Sequence, residues 1–380
     1  VLGKKAGPKD DSSPATASHP YPQRSEEMVK AKIAFLHGPH DLRIEEVSVP
    51  DPKPDQILIK VKAAGICGSD VECFEGHSKE GRYDIAPYTP GHEWAGQVAA
   101  IGNQVTGFKV GDKVTGDCCM NCFKCENCKR GLMPAACLNF REAGFRPDSP
   151  GGWGEYLLME EHYVHKLPAD WKYEEGALVE PFSVGHYGVW GPGGWVDASD
   201  DVVIFGGGMI GLCVLLTCKA ASANVMVVEP LANRRELAKI LGADVVIDPT
   251  QVKDLAAEVG KHAASGRGAS VVVEASGNDR AIAATFDVVG FQPRLRLIGH
   301  SIGRKVPIEI GKTQWRGIGM YGQGGTSYHM PRTITFMDRV RKNVDLTQLI
   351  SHTFPFEKLH DAVETAVTKK AAALKVMLTF

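Results

Sequence analysis

The sequence predicts an α/β protein of two domains, one a β-rich, partly closed barrel and the other a doubly wound parallel sheet. Three observations carry this reading. The chain has 380 residues, more than one small domain needs and enough for two of ordinary size. From Lys30 to about Glu180, short alternating runs such as residues 56–62 are punctuated by Gly, Pro and Asp. After Asp200 the texture changes to short apolar runs alternating with helical stretches, the pattern of a parallel sheet covered on both faces.

The elements follow in order. Residues 1–27 are rich in Lys, Pro, Ser and Ala and have no hydrophobic period; they read as a disordered leader or expression remnant, with Met28 the natural start. A barrel-like domain is expected over 28–181, then a strand at 201–205, glycines, an apolar helix from Met209 to about Ala221, and a strand at 224–229. An amphipathic helix at 231–241 and strands at 243–247, 270–274 and 294–298 continue the alternation to about 326. The tail, 327–380, holds helices near 331–342 and 356–370 and a last strand at 374–379, and is expected to return to the first domain.

Composition narrows the function. Hydrophobic residues make up 43% and charged residues 23%, which supplies packed cores and excludes global disorder. Lys plus Arg number 43 against 45 acidic residues, so neither sign dominates and no nucleic-acid or anionic-membrane surface is expected. No apolar run is long enough to span a bilayer, and no basic head precedes an apolar core as in a secretory signal. Six of the ten cysteines crowd together as Cys118, Cys119, Cys122, Cys125, Cys128 and Cys137. A disulfide scaffold would be short and spread its cysteines out, so this cluster reads as a thiolate metal site in a reducing compartment, the cytoplasm.

Gly206-Gly207-Gly208-Met209-Ile210-Gly211 follows a strand and opens a helix, which is the context a dinucleotide turn requires. Its glycines allow the tight turn and close approach of a pyrophosphate, which would rest on the helix N-terminus. Glu229 ends the next strand, where a carboxylate binds ribose hydroxyls and repels a 2′-phosphate, favouring NAD over NADP. Arg234 and Arg235 lie close behind and soften that choice, because either could meet a phosphate.

Two further segments, Gly65-Ile66-Cys67-Gly68-Ser69-Asp70 and the stretch opening Gly91-His92-Glu93-Trp94-Ala95-Gly96, join the cysteine cluster and the glycine turn. Together they resemble the zinc-dependent medium-chain dehydrogenases/reductases, the alcohol and polyol dehydrogenase family, from about Met28 to Phe380. The resemblance implies a GroES-like catalytic domain wrapped around a Rossmann NAD-binding domain over 182–326, with the active site between them. It implies two zinc ions per subunit. Cys67 and His92 match ligands of a catalytic zinc, with Glu93 or Glu180 completing the sphere. Cys122, Cys125, Cys128 and Cys137 match a structural zinc lobe at about 117–140, with Cys118 or Cys119 the alternative to Cys137. Ser69 matches the relay hydroxyl that bonds to the substrate oxygen, and Glu72 stands where this branch usually carries the next relay histidine. Ser276, Gly299 and His300 are expected near the nicotinamide.

Departures from the family pattern bear on substrate. Tyr321 matches half of the Arg-Tyr pair of sorbitol dehydrogenases, but Met320 replaces the arginine. Glu155, in Gly152-Trp153-Gly154-Glu155-Tyr156, matches a segment that could face the cleft. The reading is an NAD-dependent zinc oxidoreductase acting on a secondary alcohol of a polyol, cyclitol or sugar. Threonine or a simple secondary alcohol is the alternative, and a non-catalytic nucleotide-binding relative is the rival from another class. Family members pair through the edge strand of the dinucleotide domain, here 316–321, so a homodimer or homotetramer is expected.

Overall fold

A computed structural model of the chain describes residues 29–77, 86–191, 193–299, 303–326 and 329–380. The expected leader and Met28 lie outside the described residues, as does His300. The first half contains β1 (Val29–Gly38), β2 (Asp41–Val49), β3 (Gln56–Ile66), α1 (Gly68–Phe74), β4 (Trp94–Ile101), β5 (Lys113–Gly116), β6 (Cys119–Met120), α2 (Glu126–Lys129), β7 (Arg141–Glu142), β8 (Tyr156–Glu160), β9 (Val164–Lys166), α3 (Tyr173–Ala177) and α4 (Val179–Trp190). The second half contains β10 (Asp201–Phe205), α5 (Met209–Ala220), β11 (Asn224–Val228), α6 (Ala232–Ile240), β12 (Val245–Ile247), α7 (Leu255–His262), β13 (Ala269–Glu274), α8 (Asp279–Val288), β14 (Val289–Leu297), α9 (Ile310–Arg316) and β15 (Gly319–Gly322). Then come α10 (Met330–Val340), β16 (His352–Pro355), α11 (Leu359–Thr368) and β17 (Val376–Thr379).

Two main sheets result. One runs β16-β17-β3-β4-β5-β9 with β8 also on β3, so the C-terminal strands join the N-terminal sheet. The other runs β12-β11-β10-β13-β14-β15 with every pair parallel. All five residues of β10 are buried, as a central parallel strand covered on both faces requires. On one face, α5 buries nine of its twelve residues against the sheet and α4, and Gly185 makes that helix contact close: a Cβ there would lie 2.6 Å from Cys213 Cβ.

Several boundaries differ from the sequence expectation, three of them for local reasons. The edge strand starts at Gly319, not 316, because Arg316 ends α9 and Gly317, at φ 65°, caps it. The strand expected at 294–298 begins at Val289, reached through a register shift opposite β13. The helix expected from Phe356 opens with a 3-10 turn, Phe356–Lys358, before α11. No helix among the described residues is long and apolar enough to cross a membrane.

A histidine pair joins α4 to the start of α10. His329 Nε2 lies 2.8 Å from His186 Nδ1, and His186 stacks on Phe336 with centroids 4.6 Å apart. Burial, reinforced by His329 and Arg332, pushes His186 down to about 3; burial and Arg332 push His329 down to about 4. Both rings are therefore neutral in the folded chain, whereas unfolded histidine titrates near 6.5. Stability is unaffected above that pH and falls below it, by roughly 1 kcal/mol per pH unit for each ring. Chemical denaturation between pH 6 and 5 is expected to show a shallower decline for His329→Gln than for the parent; equal slopes would contradict this account.

Candidate functional site

Cys67 and His92 are brought together by two turns that side chains brace from behind. Cys67 is the N-cap residue of α1, and its backbone N–H donates to Asp70 Oδ2 at 2.9 Å. Asp70 Oδ1 accepts from the Gly91 backbone N–H at 3.4 Å and lies 3.6 Å from His92 Nδ1, which has no hydrogen-bond partner among the described residues. This carboxylate thus orients both segments, as carboxylates behind metal-binding histidines do. Gly91 has φ 92°, and a Cβ there would lie 2.1 Å from Trp153 Cδ1, so glycine is required. Trp153 in turn donates from Nε1 to Gly65 O at 3.2 Å.

The Cys67 sulfur, a His92 nitrogen and a Glu93 oxygen lie within 4.8 Å of one another, with His92 4% and Glu93 1% exposed. Glu93 is held by a residue that sequence reasoning missed. Lys375 Nζ, at the base of β17, donates to both Glu93 oxygens, at 2.5 and 2.7 Å, and to Ile66 O at 3.1 Å. The pair is buried, so removing one partner strands a charge. Lys375→Met is expected to cost about 3 kcal/mol or more of folding stability by urea denaturation; a change under about 1 kcal/mol would contradict that role.

Glu180 sits in the first turn of α4 and is buried. Burial pushes its carboxyl up to about 7, partly offset by His92 and Lys375. No described residue hydrogen-bonds its carboxylate. A soft thiolate, an imidazole and a buried carboxylate suit zinc. Cys67, His92 and Glu93 converge while Glu180 lies outside that group, and with His92 Nδ1 facing Asp70 the ring's Nε2 is the nitrogen left for a metal. On α1, Ser69 and Glu72 are both half-buried and fall three residues apart, on adjacent positions of one helix face.

Four thiolates converge elsewhere: Cys122, Cys125, Cys128 and Cys137 lie within 4.8 Å of one another. Their sulfurs are 3.4 Å apart for Cys125 and Cys128, and 4.0 Å apart for Cys122 and Cys128 and for Cys125 and Cys137. Tetrahedral zinc with Zn–S bonds near 2.3 Å spaces its sulfurs by about 3.8 Å, so these donors fit it. The Asn139 amide and the backbone N–H groups of Lys124 and Cys125 pull the Cys122 thiol down to about 5. Cys118 turns away toward Ala143 O, and Cys119 belongs to β6.

The glycine turn joins β10 to α5. A Cβ at Gly211 would lie 1.8 Å from Gly206 O, and Gly206 has φ 101°. Met209 and Ile210 form the first turn of α5 after Gly208. Glu229 is 4% exposed and accepts from the backbone N–H of Gly207 at 2.7 Å and of Leu231 at 2.8 Å. Arg234 lies against the turn, its Nη1 3.8 Å from where a Gly208 Cβ would be, while its Nη2 donates to Lys370 O at 2.7 Å. Arg235 is committed to Glu229 O, Pro230 O and Asp248. Ser276 packs beside Gly206, and a Cβ at Gly299 would lie 2.4 Å from Glu274 Oε2. A turn only glycine can make, opening directly onto the N-terminus of α5, fits a dinucleotide pyrophosphate.

Two expected substrate residues are occupied in other ways. Glu155 Oε2 accepts from the Lys32 backbone N–H at 2.6 Å, beside β1. The Tyr321 ring packs over Arg296, 5.1 Å from centroid to guanidinium, and limits Gly193, whose Cβ would lie 2.6 Å from it.

Residues 53–169 match the alcohol dehydrogenase GroES-like domain model, and residues 209–339 the zinc-binding dehydrogenase model. The chain is 33% identical to a sorbitol dehydrogenase of Bacillus subtilis over 91% of its own length and 96% of that protein. It is 34% identical to a scyllo-inosose 3-dehydrogenase of Thermotoga maritima, over 89% and 90% respectively. An NADP-bound structure of a Sinorhizobium meliloti 1021 protein superposes with a TM-score of 0.84 at 26% identity, covering 93% of this chain and 100% of that one. With its thiolate, imidazole and glycine-turn residues, the chain belongs to the zinc-dependent medium-chain dehydrogenases/reductases, the family of the alcohol and polyol dehydrogenases.

Proposed function

We propose that the protein oxidises a secondary hydroxyl of a polyol or cyclitol with NAD, using zinc held by Cys67, His92 and Glu180. The observation that carries this reading is the convergence of half-buried Cys67 with buried His92 and Glu93 in a chain that also holds a glycine turn for a dinucleotide; Glu180 is buried but outside that group, and would have to swing in to complete the sphere. Glu180 is preferred to Glu93 as the third ligand because Lys375 engages both Glu93 oxygens, whereas no described residue hydrogen-bonds the Glu180 carboxylate. Zinc held there would supply Lewis-acid polarisation of the substrate hydroxyl, and a dinucleotide held on the glycine turn would supply the hydride acceptor. Asp70 keeps Cys67 and His92 in register. Ser69 Oγ accepts the hydroxyl proton as it gives up its own toward the carboxylate of Glu72, on the same face of α1, which releases it to solvent. Met209 and Ile210 present backbone N–H groups to the pyrophosphate, and Glu229 meets the adenosine ribose.

The sorbitol and inosose dehydrogenase relatives support the polyol and cyclitol class. Glu229 supports NAD, and Arg234 is the residue through which NADP would bind. The free thiols suit a reducing cytoplasm. Exposed Met320 and Tyr321 on edge strand β15, and Trp315, 80% exposed on the preceding helix α9, support pairing of two copies through that edge. The test is nicotinamide reduction by zinc-replete protein, with NAD or NADP, across cyclitols, linear polyols, sugars, threonine and simple alcohols. Turnover is expected for a cyclitol or polyol with NAD. Turnover of threonine or simple alcohols alone would overturn the substrate class, and an NADP preference would overturn the cofactor.

A further inference from the structure

A groove of about 950 Å³ lies away from this site, between the C-terminal ends of α4 and α5 and one face of α10. None of Cys67, His92, Glu180 or the glycine turn lines it. Its wall is aromatic: Trp190 and Trp195 meet edge to face with centroids 5.4 Å apart, and Phe336 closes the side. Trp195 is 59% exposed.

The charge of the groove is one-sided. Among the described lining residues no carboxylate occurs, while Lys219, Arg332 and Arg339 do. Lys219 is already paired with Asp244 at 2.7 Å. Arg332 and Arg339 are exposed, form no ion pair or hydrogen bond with a described residue, and stand two helical turns apart on one face of α10. Arg332 lies over the Trp195 ring at 6.0 Å. Two guanidinium groups without an ion pair, above an aromatic floor, are complementary to a flat apolar body carrying an anionic group.

We infer that this groove is a second small-molecule site, for an aromatic or similarly flat organic anion bearing a carboxylate, sulfonate or phosphate. It is separate from the dehydrogenase site and does not depend on the identity of the alcohol substrate. The test titrates the zinc-replete full chain, in saturating NAD, with 1-anilinonaphthalene-8-sulfonate, following probe emission and tryptophan quenching. One saturable site per chain is expected. Arg332→Gln/Arg339→Gln should weaken it roughly tenfold, the combined loss of two partly exposed charge contacts. Trp195→Phe should reduce the quenching, while NAD affinity stays unchanged in both variants. Absence of saturation or equal affinity in the double-arginine variant would overturn the inference. So would a fall in oligomeric state of the unliganded double variant, because a second copy would then cover the groove.

Discussion

Cys67→Ser is expected to lower kcat/KM for the preferred polyol about a thousandfold or more, with the fold intact. The expectation follows from what Cys67 does and does not hold together. Its side chain is half-buried at the start of α1, and its structural contact is the backbone N–H bond to Asp70, which serine preserves. Serine is also a favoured N-cap residue, so the helix start should lose nothing. What changes is the donor: a hydroxyl replaces the thiolate beside His92, and the site loses a ligand suited to zinc. Lewis-acid polarisation amounts to several kcal/mol of transition-state stabilisation, hence the thousandfold figure. Steady-state kinetics with zinc content and melting temperature measured on the same sample check this. Parent-like kcat/KM in Cys67→Ser would remove Cys67 from the mechanism.

The second large effect concerns the thiolate lobe. Cys125→Ser is expected to release one zinc per chain and to unfold the lobe locally. Helix α2 buries none of its residues, and the following 3-10 turn, Pro134–Ala136, buries only Pro134. Phe123, Leu132, Met133 and Leu138 are exposed, Leu138 by 71%. With so little apolar burial, the four sulfurs are what hold the lobe, and metal coordination of this kind is worth on the order of 10 kcal/mol of folding free energy. The lobe also abuts the cofactor domain, since a Cβ at Gly324 would lie 2.8 Å from Met133 Cε, so kcat/KM should fall with it. Zinc analysis and trypsin cleavage at Lys124, Lys129 or Arg130 provide the readout. Unchanged zinc content and resistance to trypsin would contradict a structural metal.

Local signals made much of this legible in the sequence. The two-residue spacing of Cys122, Cys125 and Cys128 needs no tertiary information, and neither does a glycine turn between an apolar strand and an apolar helix. The parallel sheet announced itself because β10 and β11 are buried on both faces and therefore almost wholly apolar. What stayed hidden depends on distant contacts. Lys375 meets Glu93 across 282 residues, and its only local trace is a lone charge in the apolar C-terminal stretch. Asp70 stood inside a recognised segment, but its bracing of Gly91 and His92 appears only once α1 turns it toward them. The His186–His329 pair and the arginine-rimmed groove likewise require α4 and α10 to be packed together. Glu155 and Tyr321 were read from position in a motif, which does not report that a carboxylate already caps Lys32 or that a ring already covers Arg296.

Anomalous diffraction at the zinc edge, on crystals grown with zinc, tests the central claim most directly. Two peaks per chain are expected: one among Cys122, Cys125, Cys128 and Cys137, and one within about 2.0–2.3 Å of Cys67 Sγ, a His92 nitrogen and a Glu180 oxygen. A peak at the four cysteines alone, with nothing between Cys67 and His92, would contradict that claim.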